Sequence, residues 1–306
     1  KLVRIKHHLY VTGLARAGTT IMLRSIYSSN KFASLTYRDM PFVISPNLWN
    51  YLSKYLKTKK TITRKHNDNI LINLDSPEQF EEIFWNLKTS DEYNFKNFLK
   101  YYEVNSYNLE LYELFIKNCL LKYNKQSYLC KNNNNLLRIK SLIRKFPNAK
   151  FLIIFRNPLD HSISLMNQHI NFSNLQKNDK FIKNYMNYLV HHEFGLNQKQ
   201  MVFNEEDTLN ISKDNINYWL LQWIHFYEFA LKEKLKLCKN IIFIDYKDMC
   251  NNTDFEFKKI SNFIGENVFD NIEKKKFVQK TYDLKEFNFT SEYIKKSLEI
   301  YDNLKN

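Results

Sequence analysis

The stretch GLARAGTT begins at Gly13, directly after the apolar run HHLYVT, and combines glycines, an arginine and hydroxyl side chains. In phosphate-binding loops of the pattern G-x-x-x-x-G-K-[ST], backbone N–H groups and the lysine hold phosphate oxygens, and the hydroxyl binds Mg²⁺. Gly13, Gly18 and Thr20 match this pattern. Thr19 occupies the lysine position, and Arg16 lies inside the loop. The stretch therefore predicts an anion site that differs from a metal–triphosphate site.

The placement of glycine supports a ligand-binding loop. The chain has only 4 glycines, and two of them bound this stretch. Glycine tolerates positive φ and lets a ligand approach the backbone closely. The next residues, TTIMLRSIYSS, have the apolar spacing of a helix and no internal breaker. The order strand, loop, helix points a helix N-terminus at an anion, and the alternative is an ordinary strand-to-helix turn.

Short apolar runs predict the strands of one sheet around this loop. They are HHLYVT, SYLC (127–130), KFLIIF (150–155) and NIIFID (240–245), and FASLTY (32–37) alternates like a further strand. Helical patterns separate these runs, so we expect a parallel sheet with helices on both faces. The predicted fold class is α/β, a P-loop-NTPase-like three-layer fold with a central parallel sheet flanked by helices, plus helical insertions.

Two further features define the expected domain organisation. We expect residues 1–306 to form a single domain with a helical substrate-side insertion at about 45–125. A second insertion, at about 170–215, matches no pattern that we can place. LELYELFIKNCLLKY, in the first insertion, predicts a long amphipathic helix.

Local capping signals predict two helix starts in the first insertion. Ser45 is a plausible N-cap, and Pro46 occupies the first helical position of SPNLWNYLSKYL. In SPEQFEEIFWNLK, Ser76 and Pro77 repeat this arrangement, and Gln79 completes a capping box.

Charge and cysteine content limit the class of protein. The net charge of +14 favours an anionic partner, although lysines spread along the whole chain are also typical of a solvated surface. The 4 cysteines are too far apart for a C-x-x-C metal or redox site. No apolar run approaches the ~20 residues that span a bilayer. We expect a cytoplasmic protein without a membrane span, or a protein of the Golgi lumen if an N-terminal anchor has been removed.

Ligands of parallel α/β sheets bind beyond the carboxyl ends of the strands. The residues that follow the predicted strands are therefore candidates for chemistry. They are the loop at Gly13, Asp39, Lys131, Arg156 and Tyr246.

Two stretches together carry a family resemblance. GLARAGTT and the later RNPLDHSIS, which runs from Arg156 to Ser164, resemble the two nucleotide-binding signatures of sulfotransferases that use 3′-phosphoadenosine 5′-phosphosulfate (PAPS). The likeness extends to CKNNNNLLRIKSLIRKFPNAKFLIIFRNP and to IIFIDYKDMCNNTDFEFKKISNFIG. It is greatest for the subgroup with R-[SA]-G-T-T in the first loop, which includes protein-tyrosine and many bacterial enzymes. It implies that the first loop binds the 5′-phosphosulfate and that Arg156 and Ser164 bind the 3′-phosphate.

The resemblance also implies the cofactor: PAPS as donor, 3′-phosphoadenosine 5′-phosphate (PAP) as product, and no metal. A sulfuryl group carries less charge than a γ-phosphate, so backbone N–H groups, a helix N-terminus and basic side chains suffice to hold it. Arg16 is expected to reach the bridging oxygen or the sulfuryl group, whereas Ala17 lacks the hydroxyl of the commoner serine. The expected cofactor-binding residues are Gly13, Leu14, Ala15, Arg16, Ala17, Gly18, Thr19, Thr20, Arg156, Ser164 and Tyr246.

Sulfuryl transfer needs a base for the acceptor hydroxyl and stabilisation of the leaving phosphate. The resemblance implies a carboxylate base after the second strand, and Asp39 is the acid at that point. The alternative is a structural ion pair of Asp39 with Arg38 or a lysine. Lys131 resembles a family lysine that stabilises charge at the transferred group, and a surface lysine is the alternative. The expected catalytic residues are Arg16, Asp39 and Lys131.

Other titratable residues have lesser claims on the site. If Asp39 is not the base, His66, Glu81 and Glu82 are the next candidates. His161 and His169 lie in the helix that follows Arg156, and we expect them to be structural.

The predicted activity is transfer of the sulfuryl group from PAPS to an acceptor hydroxyl, of a carbohydrate or another small molecule, by in-line attack. A tyrosyl hydroxyl on a protein is the alternative acceptor. A P-loop small-molecule kinase is a second alternative, weakened by Thr19 in place of lysine. A basic nucleic-acid-binding protein without catalysis is a third, but no zinc-finger spacing or RNP-type aromatic motif supports it. We therefore expect no nucleic-acid partner; the oligomeric state is left open.

Overall fold

The computed structural model describes residues 5–40, 42–53, 61–63, 71–269 and 277–305. Its strands are β1 (His7–Thr12), β2 (Phe32–Ala33), β3 (Ile62–Thr63), β4 (Leu71–Ile72), β5 (Phe98–Lys100), β6 (Ser127–Lys131), β7 (Lys150–Phe155), β8 (Gln200–Val202) and β9 (Ile241–Asp245). Its α-helices are α1 (Thr19–Tyr27), α2 (Pro46–Ser53), α3 (Glu82–Tyr93), α4 (Ser106–Tyr123), α5 (Ile139–Lys145), α6 (Pro158–Asn178), α7 (Lys180–Tyr188), α8 (Ile216–Lys236), α9 (Tyr246–Asn251), α10 (Thr253–Ile264) and α11 (Ser291–Lys305).

The centre of the fold is a five-stranded sheet with the strand order β2-β6-β1-β7-β9. Its strand pairings are parallel, with Leu9 of β1 opposite Leu129 of β6 on one side and Lys150 of β7 on the other. Because the strands run in one direction, their carboxyl ends lie along one edge of the sheet. The loops that leave β1, β6, β7 and β9 meet at this edge, where ligands of such sheets bind.

Both faces of the sheet are covered by helices. In β1, Leu9 and Val11 pack into one core with residues of α1 and α10, whereas Tyr10 packs into the larger core with residues of α3, α4 and α8. This alternation follows from the opposite orientation of successive side chains in a strand. Strands covered on both faces are apolar throughout, which explains the short apolar runs. The predicted P-loop-like three-layer α/β fold is confirmed.

The predicted strands agree with the structure except after β2. HHLYVT and KFLIIF have the predicted bounds, SYLC is extended by Lys131, and NIIFID begins one residue later, at Ile241. The strand predicted at 32–37 ends at Ala33, and a 3₁₀ helix follows at Tyr37–Asp39. A side-chain cap sets this helix, because the Thr36 N–H donates to the Asp39 carboxylate at 2.7 Å.

One of the two predicted helix starts is wrong. α2 begins at Pro46, as expected, but α3 begins at Glu82 and not at Pro77. Pro77 instead forms an antiparallel bridge with Thr36, and the Glu78 N–H donates to the Leu35 carbonyl at 3.1 Å. Pairing with a distant segment therefore overrides the local capping pattern.

The stretch at 170–215, which the sequence did not place, packs onto the first insertion. It contains the end of α6, α7 and β8. β8 pairs in parallel with β5, and Leu99 lies opposite Met201. The two insertions are therefore joined through a two-stranded sheet of their own.

A fully buried ion pair connects α3 to the segment that follows β6. The guanidinium of Arg138 donates to both carboxylate oxygens of Glu82, at 3.2 and 2.9 Å, and neither side chain is exposed. Burial favours the neutral carboxyl, but Arg138 outweighs it and lowers the pKa of Glu82. The guanidinium also lies over the rings of Trp85, Tyr93 and Tyr102.

We expect Glu82→Gln to lower the free energy of unfolding by about 3–5 kcal/mol, because it leaves a buried guanidinium without its carboxylate partner. Urea denaturation measures this loss. Glu103→Gln is the matched control, because the Glu103–Arg144 pair has side chains that are 61% and 57% exposed; its loss should stay below about 1 kcal/mol. Equal losses in both variants would contradict this account of the buried pair.

Candidate active site

The glycine-bounded loop between β1 and α1 has a backbone that only glycine accommodates at two points. Gly13 has φ 145°, and a Cβ there would lie 2.5 Å from the Ile154 carbonyl oxygen. Gly18 has φ 103°, and a Cβ there would lie 2.4 Å from the Tyr246 ring. A larger residue would strain the backbone at either position and would clash with β7 at Gly13 or with the first residue of α9 at Gly18. Gly18 also caps α1, so the N-terminus of this helix opens onto the loop.

The two stretches singled out in the sequence meet at this loop. The Arg16 Nε lies 3.5 Å from the Ser164 Oγ, the limit of a hydrogen bond. The Arg156 Nη1 donates to the Arg16 carbonyl at 3.2 Å. Arg16 itself has φ 71°, a left-handed conformation that is uncommon outside glycine. The two arginines, 140 positions apart in the chain, therefore lie next to each other.

Arg156 has no carboxylate partner in the part of the chain that the structure describes. Its second hydrogen bond is to the Lys280 carbonyl at 2.8 Å, and its guanidinium lies 5.6 Å from the centre of the Tyr246 ring. Asp160, four residues after Arg156, accepts the Tyr282 N–H at 3.0 Å instead of pairing with that arginine. A guanidinium held by neutral groups retains its charge for an anionic ligand.

Tyr246 occupies the first position of α9, directly after β9. Its ring lies against Gly18, and its hydroxyl donates to the Val278 carbonyl at 3.4 Å. Asp245 caps α9 and accepts the Tyr301 hydroxyl at 2.6 Å. The contacts with Gly18 and Val278 therefore fix the position of Tyr246 next to the loop.

His161 contacts the loop directly, which sequence reasoning did not detect. Its Nε2 lies 2.8 Å from the Ala15 carbonyl oxygen. A carbonyl only accepts, so Nε2 carries the proton. Burial lowers the pKa of His161 to about 3, assisted by the charges of Arg156 and Arg16. The neutral imidazole therefore holds the loop at physiological pH. The sequence indicated this contact only through the position of His161, five residues after Arg156.

The structure places Asp39, the predicted base, inside the fold. Its side chain is fully buried and forms an ion pair with Lys122, which donates at 2.7 Å. The Tyr123 hydroxyl donates to the other oxygen, also at 2.7 Å, as does the Thr36 N–H. Arg38 pairs with Asp75 instead. Asp39 thus forms the ion pair with a lysine that the sequence left as the alternative, and no part of its side chain is exposed.

The structure describes two of the three other candidates for the base, Glu81 and Glu82, and both are buried. Glu81 accepts hydrogen bonds from the Tyr112 hydroxyl at 2.7 Å and the Tyr128 hydroxyl at 2.9 Å, and it is 1% exposed. Glu82 is the partner of Arg138. His66 lies outside the described residues.

Another carboxylate, that of Glu78, lies at the carboxyl edge of the sheet beside Lys131. The Lys131 Nζ is 3.9 Å from the Glu78 Oε1. The Gln79 N–H donates to that same oxygen at 3.0 Å, and the Tyr37 hydroxyl donates to Oε2 at 3.3 Å. Sequence reasoning missed Glu78 because SPEQ matched a helix start, whereas the extended conformation of this segment delivers Glu78 to the sheet edge.

The lysine of this pair lies next to the anion loop. Lys131 ends β6, and Val11 of β1 lies opposite it in the sheet. The Thr12 hydroxyl, one residue before Gly13, donates to the Asn133 carbonyl at 3.2 Å. One continuous edge thus carries the cationic loop, Lys131 and a carboxylate.

Comparisons with known proteins identify the family of this chain. The model of the sulfotransferase family matches residues 9–270, so the chain belongs to the sulfotransferase family. The structure resembles the sulfotransferase STF9 from Mycobacterium avium, with a TM-score of 0.56 and 14% identity over 99% of this chain and 77% of that one. It also resembles a sulfotransferase from Alicyclobacillus acidocaldarius, with a TM-score of 0.52 and 10% identity over 98% and 96% of the two chains. No curated protein matches the sequence.

Family membership confirms the resemblance seen in the sequence and supports sulfotransferase activity. The structural likenesses show the shared fold. Among the described residues, no helix is long and apolar enough to cross a membrane. The same residues contain no group of three or more histidine, cysteine or acidic side chains arranged to hold a metal ion.

We expect acid to weaken the fold partly through His161. Its folded pKa of about 3 lies below the ordinary 6.5, so below 6.5 the unfolded chain binds a proton that the folded chain does not. The free energy of unfolding therefore falls as the pH drops from 6.5 toward 3. Between about pH 7.5 and about pH 5.5, this histidine should account for about 1 kcal/mol.

His161→Gln isolates this contribution, because its amide N–H still donates to Ala15 but does not titrate in this range. The other buried histidines, His8, His169 and His192, contribute equally to both proteins. Urea denaturation at the two pH values should show a loss about 1 kcal/mol smaller in the variant. An identical loss would contradict the assignment of a neutral imidazole.

Proposed function

We propose that this protein transfers the sulfuryl group of PAPS to a hydroxyl of a carbohydrate acceptor, with PAP as product. The observation that carries the proposal is the contact of Arg16 with Ser164, which joins the loop assigned to the phosphosulfate with the helix assigned to the 3′-phosphate. Family membership supports the transfer of a sulfuryl group.

The residues of this edge fit a nucleotide with phosphates at both positions. The loop at Gly13 and the N-terminus of α1 supply backbone N–H groups, which suit the 5′-phosphosulfate. Arg156, with carbonyls as its only hydrogen-bond partners in the described chain, and Ser164 suit the 3′-phosphate. Bound PAPS supplies an activated sulfuryl group and a phosphate leaving group.

Glu78 is the proposed base, in place of Asp39. It lies at the sheet edge next to Lys131, so an acceptor hydroxyl there is within reach of a carboxylate and a cation. Glu78 takes the proton of the acceptor hydroxyl, and Lys131 stabilises the negative charge that develops at the transferred group. The Gln79 N–H and the Tyr37 hydroxyl hold the carboxylate in position.

Calorimetry separates this proposal from a kinase, and Arg156→Ala tests the nucleotide site. We expect the wild type to bind 3′,5′-ADP (PAP) without metal and to prefer it to ATP with Mg²⁺. Arg156→Ala should weaken PAP binding by about tenfold to a hundredfold, since it removes a charge-assisted contact with a phosphate.

Two further variants make this test specific. Arg16→Ala should lower kcat more than it changes the Kd of PAP, because its charge acts on the transition state. Arg144→Ala, whose side chain is 57% exposed and pairs with Glu103, serves as the control and should leave both unchanged. Unaltered PAP affinity in Arg156→Ala would contradict the cofactor assignment.

Glu78→Gln tests the base. The amide keeps the shape but not the basicity, so we expect sulfate transfer to fall on the order of 10²–10⁴ while PAP affinity is retained. Transfer is measured on a panel of glycans, small phenols and tyrosine peptides, with the acceptor that the wild type uses best.

Asp39→Asn is the matched comparison for this carboxylate. It should lower the free energy of unfolding by about 3–5 kcal/mol, because Lys122 is left buried and unpaired, and the folded fraction should keep turnover within about tenfold of wild type. If Asp39→Asn abolishes turnover in folded protein and Glu78→Gln does not, the roles are reversed.

A further inference from the structure

The segment that follows α7 leaves its helix through a strained turn. Val190 has φ 57°, a left-handed conformation that is a genuine outlier for a β-branched residue. The Val190 N–H donates to the Asn187 carbonyl and the His191 N–H to the Met186 carbonyl, which is the Schellman helix end that glycine normally completes. Strain of this kind, on the order of 1–3 kcal/mol, persists where the surrounding structure imposes it and is concentrated at ligand sites.

The turn delivers His191 and Glu193 to the proposed acceptor side of the site. The His191 Nε2 donates to the Gln79 carbonyl at 3.1 Å. The Glu193 Oε1 accepts two amide N–H groups, from Gln79 and Asn133, both at 3.2 Å. Gln79 follows Glu78 directly, and Asn133 lies two residues beyond Lys131. Glu193 therefore bridges the two segments that carry the proposed base and the proposed cation.

The two oxygens of Glu193 differ in what they contact. Oε1 is used by the bridge, whereas Oε2 receives no hydrogen bond from any residue that the structure describes. Glu193 is half-buried, so the carboxylate is not sealed inside the fold. A partly buried carboxylate oxygen accepts a hydrogen bond strongly and disfavours another anion beside it.

The helix that precedes this turn, α7, carries an aromatic pair. The Phe181 and Tyr185 rings are stacked with their centres 5.8 Å apart, and Phe181 is 71% exposed. Tyr185 lies in the last turn of α7, and the end of this helix leads directly to His191 and Glu193. An exposed ring face is the kind of surface on which the C–H face of a sugar packs.

We propose that Glu193 is an acceptor-binding residue, whose Oε2 accepts a hydrogen bond from a second hydroxyl of the acceptor. The acceptor is then a neutral glycan with a free hydroxyl next to the one that is sulfated. Acidic glycans and acidic tyrosine peptides are disfavoured by the carboxylate. This inference rests on the proposed function, because it assumes that Glu78 and Lys131 flank the reacting hydroxyl.

Glu193→Gln is the informative variant. Glutamine keeps Oε1, and so keeps the bridge to Gln79 and Asn133, but replaces the outward acceptor oxygen with an N–H donor. The full-length protein, saturated with PAP, is applied to an array of neutral, uronic-acid-containing and sulfated glycans. We expect the wild type to bind neutral glycans and Glu193→Gln to bind them about tenfold to a hundredfold more weakly.

Three measurements make the result decisive. Thermal unfolding and the Kd of PAP should be the same for Glu193→Gln and the wild type, which separates loss of the acceptor from loss of structure. Glu206→Gln, an exposed acid of the same insertion, should bind glycans like the wild type.

The inference is overturned if the wild type binds no neutral glycan, if it prefers acidic ones, or if Glu193→Gln retains full binding. It is also overturned if Glu193→Gln loses PAP affinity or stability together with the glycan, because Glu193 then acts only through the bridge. Failure of the wild type to bind PAP is a different result, which contradicts the proposed function itself.

Discussion

The anion site depends on the contact between α6 and the loop that joins β1 to α1. Three side chains of RNPLDHSIS reach this loop: Arg156 donates to the Arg16 carbonyl, His161 to the Ala15 carbonyl, and Ser164 lies 3.5 Å from the Arg16 Nε. Arg156 and His161 engage the carbonyls of Arg16 and Ala15, so these peptide groups turn their carbonyls away from the N-terminus of α1. The helix proposed to bind one phosphate therefore also shapes the loop proposed to bind the other.

Buried ion pairs hold two carboxylates inside the fold, away from the sheet edge. Asp39 pairs with Lys122, and Glu82 pairs with Arg138. A buried charge is costly unless it is paired and hydrogen-bonded, so these pairs anchor α4 and α3 to the sheet. Glu78, in the extended segment between them, lies beside Lys131 at the carboxyl edge.

The stretch at 170–215 links the proposed acceptor side of the site to the rest of the fold. β8 pairs with β5 of the first insertion, and the strained turn at Val190 directs Glu193 between Gln79 and Asn133. The strain is sustained because the ends of this segment are held by α6 and by the β5–β8 pairing. A site built on three segments from distant parts of the chain is rigid only when each segment is tied to the others.

The sequence by itself determined the sheet and the anion loop. The apolar runs of β1, β6, β7 and β9 are each buried on both faces, so local hydrophobicity is enough to locate them, and the glycines at Gly13 and Gly18 are required by local φ and close packing. The tertiary structure alone decided the partners of each acid. Asp39 pairs inside the fold with Lys122, 83 residues away, whereas Glu78 lies 3.9 Å from Lys131 at the sheet edge. Likewise, Pro77 pairs with Thr36 in spite of the helix-capping pattern that begins at Ser76. Glu193 lies in a stretch without a recognisable pattern. Contacts between distant segments, not propensity, set the environment of a titratable group, because its charge is controlled by burial and by the partner that the fold brings to it.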